Sequence, residues 1–253
     1  MIDIRRALLP ASVFAGVIAL VEAAVRLDLT PATIAAPSVV AAALIRQWPL
    51  LWYHLEPTLL IAVTGFVMAL AISLAAAALA YVFKPIEASL TMVGTVLDSI
   101  PMIAIAPVLV IWMGLSLPMR ITIATIICLF PIFVAVLQGL KSAPGTAEEL
   151  FTNLAATPLQ RFRLLAVPYA LPYLFVGLKI AAPLAILGAL IAEWTGAERG
   201  LGVYMLNAMF SLRVIELWAG VLVACAVSAG GFMIVSLFEK LAVVDNGHRG
   251  AGA

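Results

Sequence analysis

The run from Pro57 to Phe83 contains no charged residue, and it restricts the fold of this chain more than any other stretch. A bilayer core about 30 Å thick is crossed by about 20 apolar residues in a helix, so this run can span a membrane with some tilt. Five further apolar runs resemble it, and hydrophobic residues make up 65% of the chain against 11% charged. Soluble domains are far less apolar and more charged. The sequence therefore predicts an all-α membrane protein with about six transmembrane helices.

The predicted spans divide the chain into four regions. They are residues 1–28 as a first transmembrane helix, residues 29–56 as a periplasmic segment, residues 57–241 as a core of five spans that includes the loop 141–168, and residues 242–253 as a polar, disordered tail. Within the second region, Pro37 and Pro49 are expected to begin and end a short helix. That helix lies either at the membrane surface or in an ordinary external loop. The charged start of the chain also fits a cleaved signal peptide, but an uncleaved first span is the preferred interpretation.

The distribution of basic residues predicts the orientation in the membrane. Six spans place both termini on one side, together with the polar stretch Glu149–Pro172. Cytoplasmic loops carry an excess of lysine and arginine. The side with the termini carries more of them: Arg5, Arg6, Lys84, Lys141, Arg161, Arg163, Lys240 and Arg249, against Arg26, Arg46, Arg120, Arg199 and Arg213 on the other. Both termini and the polar stretch are therefore predicted to be cytoplasmic.

The sequence contains no pattern typical of an enzyme. Residues Gly139–Ser142 end like a phosphate-binding loop but lack its glycine spacing, and Gly196–Gly202 is predicted to be a turn in an external loop. Cys128 and Cys225 both lie in apolar segments and are predicted to be small buried hydrophobic residues, not a disulfide or a metal site. The net charge of +1 does not favour nucleic acid as a partner. Any energy that this chain uses is expected to come from another subunit.

Small residues recur every four positions along one face of the run Pro57–Phe83. They are Gly65, Ala69, Ser73 and Ala77. Such a stripe lets a second helix approach closely in a membrane. We expect it to be a packing surface.

The predicted span from Ser89 to Leu115 carries Asp98 and two prolines, Pro101 and Pro107. Proline leaves backbone carbonyls without an intrahelical donor, and a membrane tolerates these only against protein or a water-filled cavity. The span is therefore a candidate wall of a pathway. A kinked helix packed between neighbours is an equal alternative.

Two further ionisable residues, Lys179 and Glu193, lie in or at the end of the fifth predicted span. An isolated charge in hydrocarbon costs several kcal/mol. Asp98 and Lys179 are each about ten residues into spans that start in the cytoplasm, so they reach a similar depth and we hypothesise that they pair. Alternatively, Lys179 extends its ammonium group to the cytoplasmic interface. Glu193 faces either the entrance of a pathway or water, as a helix cap.

The polar stretch resembles the cytoplasmic loop of ATP-binding cassette (ABC) importer permeases. The motif of that family is Glu-Ala-Ala, three residues, Gly, nine residues, Ile, one residue and Leu-Pro. Glu149 occupies the first place, Ala155 stands where the glycine would be, and Leu165 and Val167-Pro168 replace the last letters. Leu150 and Phe151 displace the two alanines. The flanks IPMIAIAPVLVIWMGLS, FPIFVAVLQGLKS, VPYALPYLFVGLKIA and AEWTGAERGLGVYML are similar to the nitrate, sulfonate and taurine branch, in its order.

The resemblance implies a type I ABC importer permease in the bacterial inner membrane. Two copies would form the pathway among the lipids, two ABC ATPase subunits would bind ATP and Mg²⁺, and an extracytoplasmic binding protein would deliver the solute. This chain itself would bind no cofactor. ATP binding would close the ATPase pair and switch the pathway by alternating access.

The loop would form a helix–turn–helix that sits in a groove of the ATPase. The residues implied in this coupling are Glu149, Leu150, Phe151, Ala155, Ala156, Thr157, Pro158, Phe162, Leu165 and Pro168. Pro158 is tolerated at a helix start, and Phe162 with Leu165 forms one apolar face. Because alanine resists a left-handed conformation more strongly than glycine, we expect the bend to shift from Ala155 toward Thr157-Pro158.

The substrate implied by the resemblance is a small oxyanion of the nitrate, sulfonate or taurine type. The alternative is a pyrimidine or vitamin precursor, which the letters AEWTG at Ala192–Gly196 favour slightly. A secondary transporter driven by an ion gradient is a weaker alternative, because many such folds contain internal repeats and none is evident in this chain. A membrane enzyme or interaction scaffold is weaker still.

Overall fold

The computed structural model describes the backbone of residues 4–31 and 33–249, and the side chains of residues 12–31 and 33–242. All regular secondary structure in this part of the chain is helical. The helices are α1 (Ile4–Arg26), α2 (Pro37–Arg46), α3 (Trp48–Val82), α4 (Lys84–Ser99), α5 (Met102–Met113), α6 (Leu117–Leu140), α7 (Gly145–Asn153), α8 (Pro158–Arg161), α9 (Val167–Trp194), α10 (Leu201–Phe210) and α11 (Val214–Arg249). A π-helical turn, Phe162–Ala166, joins α8 to α9 without a break.

Four helical segments of the described chain are long and apolar enough to cross a membrane: α3, α6, α11 and the continuous helix 158–194 made of α8, the π turn and α9. Helices α4 and α5 form a bent pair that would be a fifth span. The remaining predicted span corresponds to α1, which is 23 residues long. The all-α membrane fold predicted from the sequence is confirmed.

Two predicted boundaries differ from the structure. Helix α3 begins at Trp48 and not at Pro57, because Pro49 lies in its first turn, where the missing N–H group would have no partner in any case. Pro49 therefore begins a helix where the sequence suggested that it ends one. The tail predicted to be disordered from residue 242 continues α11 to Arg249, and residues 250–253 lie outside the described chain.

The span predicted between Ser89 and Leu115 is broken into two helices that meet at 99°. Ile100, at the break, is extended with φ −78° and ψ 122°, and Pro101 precedes the first turn of α5. A residue before proline is pushed out of the α conformation by the proline ring, which explains why the helix ends at this point. Pro101 therefore separates two helices, whereas Pro107 lies within α5.

The core of the molecule is the contact of α6 with α3 on one side and with α9 on the other. Ala124 of α6 lies at both contacts: a Cβ atom at Gly65 of α3 would lie 2.6 Å from its Cβ, and one at Gly188 of α9 would lie 2.8 Å from its Cα. Ser73 donates a hydrogen bond to the Leu129 carbonyl of α6 at 2.8 Å. The small-residue stripe on α3 is thus the packing surface that the sequence predicts.

A second core holds together the ends of the helices that lie opposite α7 and α8, and these are called the outer ends below. Val40 of α2, Leu51 of α3, Leu201 of α10 and Val223 of α11 are buried in it. Helix α2 packs on α11, and Trp218 of α11 donates a hydrogen bond to the Thr33 carbonyl. The segment from Thr195 through α10 is therefore built into the outer end of the bundle.

Candidate functional site

The end of α7 adopts the turn that a glycine would normally form. Ala155 has φ +49°, which is the left-handed conformation. The Ala156 N–H donates to the Phe151 carbonyl and the Ala155 N–H to the Thr152 carbonyl, both at 3.0 Å. These two bonds define a Schellman motif, which satisfies the last carbonyls of the helix. The prediction that alanine would move the bend to Thr157-Pro158 is wrong, because the two hydrogen bonds hold Ala155 in place.

Replacing Ala155 by glycine is expected to stabilise the loop. A left-handed residue with a Cβ atom costs about 1–2 kcal/mol, while glycine costs about 0.5–1 kcal/mol in backbone entropy, so a net gain of up to about 1.5 kcal/mol is expected. It is measured as a rise in the thermal unfolding midpoint of the purified protein. The control is Ala147→Gly inside α7, which removes the same methyl group from a helical position and is expected to lower the midpoint. A fall in both variants would contradict the assignment of strain to Ala155.

The helix after the turn begins with a complete capping box. The Thr157 hydroxyl accepts from the Gln160 N–H, the Gln160 side chain accepts from the Thr157 N–H at 2.8 Å, and Pro158 occupies the first helical position. Pro168 lies in the first turn of α9, after the π turn. The helix–turn–helix predicted for residues 141–168 is thus present, and its second helix runs on to Trp194.

The apolar face predicted for this helix points into the protein. The Phe162 ring packs on Tyr81 of α3 with 5.7 Å between ring centroids, and Leu165 is buried. The leucines that point outward are others: Leu150 is 55% exposed, Leu154 68% and Leu159 61%. Leu150 is among the residues implied by the family resemblance, but the sequence analysis missed Leu154, which follows the last residue of α7, and Leu159, which lies beyond the turn on α8. The i, i+4 spacing of Leu150 and Leu154 was the available signal.

The loop 141–168 is held by an ion pair to helix α4 and by a hydrogen bond within the loop itself. The Lys141 ammonium forms an ion pair with Glu87 of α4, and the Arg161 guanidinium donates to the Ala156 carbonyl at 3.3 Å. Lys141 follows the last residue of α6, and Glu87 lies in the first turn of α4. Their contact therefore places the end of α6 and the start of α4 at the same end of the molecule.

Lys179 is paired, but not with Asp98. Its ammonium group lies 3.0 Å and 2.8 Å from the two carboxylate oxygens of Glu239 on α11. Asp98 is exposed, and within the described side chains it has no ion-pair partner. The hypothesis of an Asp98–Lys179 pair is therefore wrong: the charge of Lys179 is compensated by the last predicted span, not the third.

Glu193 faces neither a pathway nor water. Its side chain is completely buried, and it accepts a hydrogen bond from the Thr58 hydroxyl and another from the Gly202 N–H, both at 2.6 Å. Thr58 in turn accepts from the Leu201 N–H at 2.8 Å. Glu193 therefore connects three helices, α9, α3 and α10, at the outer end of the molecule.

A ring of polar groups surrounds this contact. The His54 Nδ1 atom lies 3.0 Å from the Gly200 carbonyl oxygen. His54 of α3 therefore contacts the segment that joins α9 to α10. Arg199 stacks on the Tyr53 ring, 3.7 Å from its centroid, and pairs with Glu56 at 3.2 Å.

One bond of this outer region ties α10 to the start of α3. Tyr204 donates to the Gln47 side chain at 2.8 Å. Burial raises the pKa of Tyr204 to about 12, so its hydroxyl keeps the proton that it donates.

The described side chains contain no cluster of three or more His, Cys, Asp or Glu residues that could hold a metal ion. Cys128 is buried, as predicted, and its thiol donates to the Ala181 carbonyl at 3.4 Å. Cys225 on α11 is exposed, so its prediction as a buried residue is wrong. An apolar sequence does not distinguish a helix face toward lipid from one toward the core.

Residues 69–242 match the family described as "Binding-protein-dependent transport system inner membrane component". These residues contain the C-terminal part of α3, the helices from α4 to α10 and most of α11. They therefore include the loop of α7 and α8 and the segment 195–213 between α9 and α11, which is called the outer loop below. The chain belongs to this family, and it is a permease subunit of an ABC transporter, a multi-pass inner-membrane component without catalytic activity of its own.

Three curated relatives are similar to most of the chain. The formylaminopyrimidine transport permease protein ThiX of Halalkalibacterium halodurans is 32% identical over 76% of this chain and 77% of its own length. The riboflavin transport system permease protein RibX of Chloroflexus aurantiacus is 29% identical over 77% and 72%. The putative aliphatic sulfonates transport permease protein SsuC of Bacillus subtilis is 24% identical over 75% and 69%.

One solved structure has the same fold. It is described as a crystal structure of an amino acid ABC transporter with histidines. The two chains superimpose with a TM-score of 0.65 at 15% identity, over 79% of this chain and 97% of the other. The fold of an ABC transporter permease is thus shared despite the distant sequence.

Proposed function

We propose that the loop formed by α7 and α8 is the surface on which an ABC ATPase subunit docks. The observation that carries this proposal is the exposure of Leu150, Leu154 and Leu159 on the polar segment 145–161, which ends with the first turn of the continuous helix 158–194. Exposed apolar side chains that are grouped on a polar surface are typical of protein interfaces. The acidic residue at the start of the motif, Glu149, is exposed beside them. The partner binds ATP and Mg²⁺, and this chain receives the movement.

The continuous helix 158–194 carries that movement across the membrane. It begins at the proposed docking surface and ends at Trp194, and at about 1.5 Å per residue it is long enough to reach both faces of the bilayer. Two copies of the chain form the pathway, and both termini lie in the cytoplasm. Closure of the ATPase pair then displaces the loops and alternates the access of the pathway.

We propose a small nitrogen heterocycle of the formylaminopyrimidine type as the solute. The relative named for formylaminopyrimidine is 32% identical, and the relative named for sulfonates is 24% identical. The charge of the membrane helices supports the same choice, because Lys179 is neutralised by Glu239. A pathway for oxyanions would be favoured by an uncompensated cation at this depth. This proposal replaces the oxyanion favoured by the sequence resemblance with its alternative.

Uptake by the reconstituted importer tests both proposals. The chain, its cognate ATPase and its binding protein are placed in proteoliposomes, and labelled formylaminopyrimidine, taurine and nitrate are compared. We expect accumulation of formylaminopyrimidine that requires ATP on the side of the ATPase. Accumulation of taurine or nitrate alone would contradict the choice of solute. Uptake driven by a proton gradient without ATP would contradict the importer mechanism.

A further inference from the structure

Glu193 is a residue of α9, and its side chain caps the N-terminus of another helix, α10. Leu201 and Gly202 are the first residues of α10, and their N–H groups donate to Thr58 and to Glu193. The first N–H groups of a helix have no partner within it and carry partial positive charge, so a carboxylate is stabilised at that position. This explains how a completely buried carboxylate is accommodated without a cation in direct contact among the described side chains.

The outer loop is shaped around this carboxylate. Gly200 has φ +152°, and a Cβ atom at this position would collide with the carboxylate of Glu193. A Cβ atom at Gly202 would lie 2.7 Å from the Leu190 carbonyl oxygen and 2.9 Å from a Glu193 oxygen. The Trp194 indole donates to the Gly202 carbonyl at 3.1 Å. Two glycines therefore let the chain close over Glu193, and neighbouring bonds hold it there.

The position of Glu193 along the helix gives this contact a functional meaning. Glu193 is the penultimate residue of the continuous helix 158–194, whose other end is the proposed ATPase docking surface. Movement of the outer loop is therefore transmitted to α9 only as far as the Glu193 contact is rigid. The outer loop also exposes two large apolar side chains, Phe210 at the end of α10 and Leu212 just after it.

We propose that Glu193 is a positioning residue that couples the outer loop to the cytoplasmic loop through α9. Because Glu193 and Thr58 fasten α10 to α9 and α3, docking of the solute-loaded binding protein on the outer loop moves α9 as one body and stimulates the ATPase. This inference rests on the proposed function, in which the binding protein and the ATPase act on opposite faces of the chain.

The test measures ATP hydrolysis by the reconstituted importer with and without the solute-loaded binding protein. In Glu193→Gln the side chain keeps its shape, but its amide nitrogen cannot accept one of the two hydrogen bonds and the negative charge at the α10 terminus is lost. We expect the rate of ATP hydrolysis without the binding protein to stay within about twofold of wild type. The stimulation of hydrolysis by the binding protein is expected to fall about tenfold, a factor typical of allosteric coupling. Thr58→Val is expected to behave in the same way, and Thr58→Ser, which keeps the hydroxyl, is expected to retain stimulation.

Glu56→Gln is the matched control. It makes the same chemical change in the same outer region, but at an exposed ion pair with Arg199, and such pairs contribute little. Normal stimulation in Glu193→Gln would overturn the inference. A parallel fall of basal and stimulated hydrolysis together with the thermal unfolding midpoint would also overturn it, since it would indicate a structural role alone. A wild-type importer that shows no ATP-dependent uptake would instead contradict the proposed function.

Discussion

Replacing Gly188 by valine is expected to prevent the central helices from packing. The new Cβ atom would lie 2.8 Å from the Ala124 Cα atom of α6, a distance at which one of the two backbones must move. Helix α6 cannot simply shift away, because Ala124 is also pressed against Gly65 of α3 on its other side. Overpacking of a well-packed core costs about 1–3 kcal/mol of stability. Because α6 is confined on both sides, we expect a cost of about 3 kcal/mol or more for Gly188→Val. The measurement is the unfolding midpoint and the monodisperse fraction of the purified protein in detergent.

Gly230→Val is the control for this prediction. Gly230 also lies within a membrane helix, α11, but a Cβ atom there meets no neighbouring atom within 4 Å among the described residues. The two variants therefore add the same atoms to a transmembrane helix and differ in the space available. We expect the monodisperse fraction to fall severely for Gly188→Val and to stay near wild type for Gly230→Val. Similar values for the two variants would contradict the close packing of α6 between α3 and α9.

Local chemistry in the sequence predicted much of this fold. The stripe from Gly65 to Ala77 identified the packing face of α3, because small residues at i, i+4 lie on one side of any helix. The family resemblance implied the helix–turn–helix of α7 and α8, and Pro158 supported it because proline is tolerated at a helix start. In the structure Thr157 and Gln160 complete that helix start with a capping box. Both features depend on neighbouring residues only.

The errors arose where a partner comes from a distant part of the chain. Depth in the membrane, counted along two helices, suggested that Lys179 pairs with Asp98. The actual partner, Glu239, depends on how α11 is rotated against α9, which residue counting does not reveal. Glu193 was expected at a surface for the same reason. The glycines at 200 and 202 were the available signal, since glycines before a helix indicate a close approach of the backbone to another group.

The exposed surface of the loop formed by α7 and α8 could not be predicted in full from the family motif. The motif marks Leu165, and the predicted apolar face adds Phe162. Both side chains instead pack against the protein's own helices. Substitution of Phe162 would therefore report on stability as well as on docking. The exposed leucines separate these two effects, because their removal leaves the internal packing of the chain unchanged.

The double substitution Leu150→Asp and Leu154→Asp is expected to abolish association with the ATPase. Burial of a leucine side chain contributes about 1.5–3 kcal/mol, so losing two of them at an interface costs at least about 3 kcal/mol, or about 100-fold in affinity. The new carboxylates add the cost of desolvating a charge without a partner. The measurement is the amount of ATPase that co-purifies with the permease and the dissociation constant of the pair in detergent. The unfolding midpoint of the permease alone is expected to change little, because both leucines are largely exposed.

Asn153→Asp is the matched control for charge. Asn153 is exposed in the last turn of α7, three residues after Leu150 and therefore beside the face of the helix that carries this leucine. It adds a carboxylate to the same helix without removing apolar surface, so the ATPase is expected to remain bound. An equal loss of the ATPase in Asn153→Asp would assign the effect to charge repulsion, and full retention in the double variant would place the docking surface elsewhere. The exposure of Leu150 and Leu154 predicts that only the double leucine variant loses the ATPase. Only this variant removes apolar surface that the permease leaves exposed for a partner to bury.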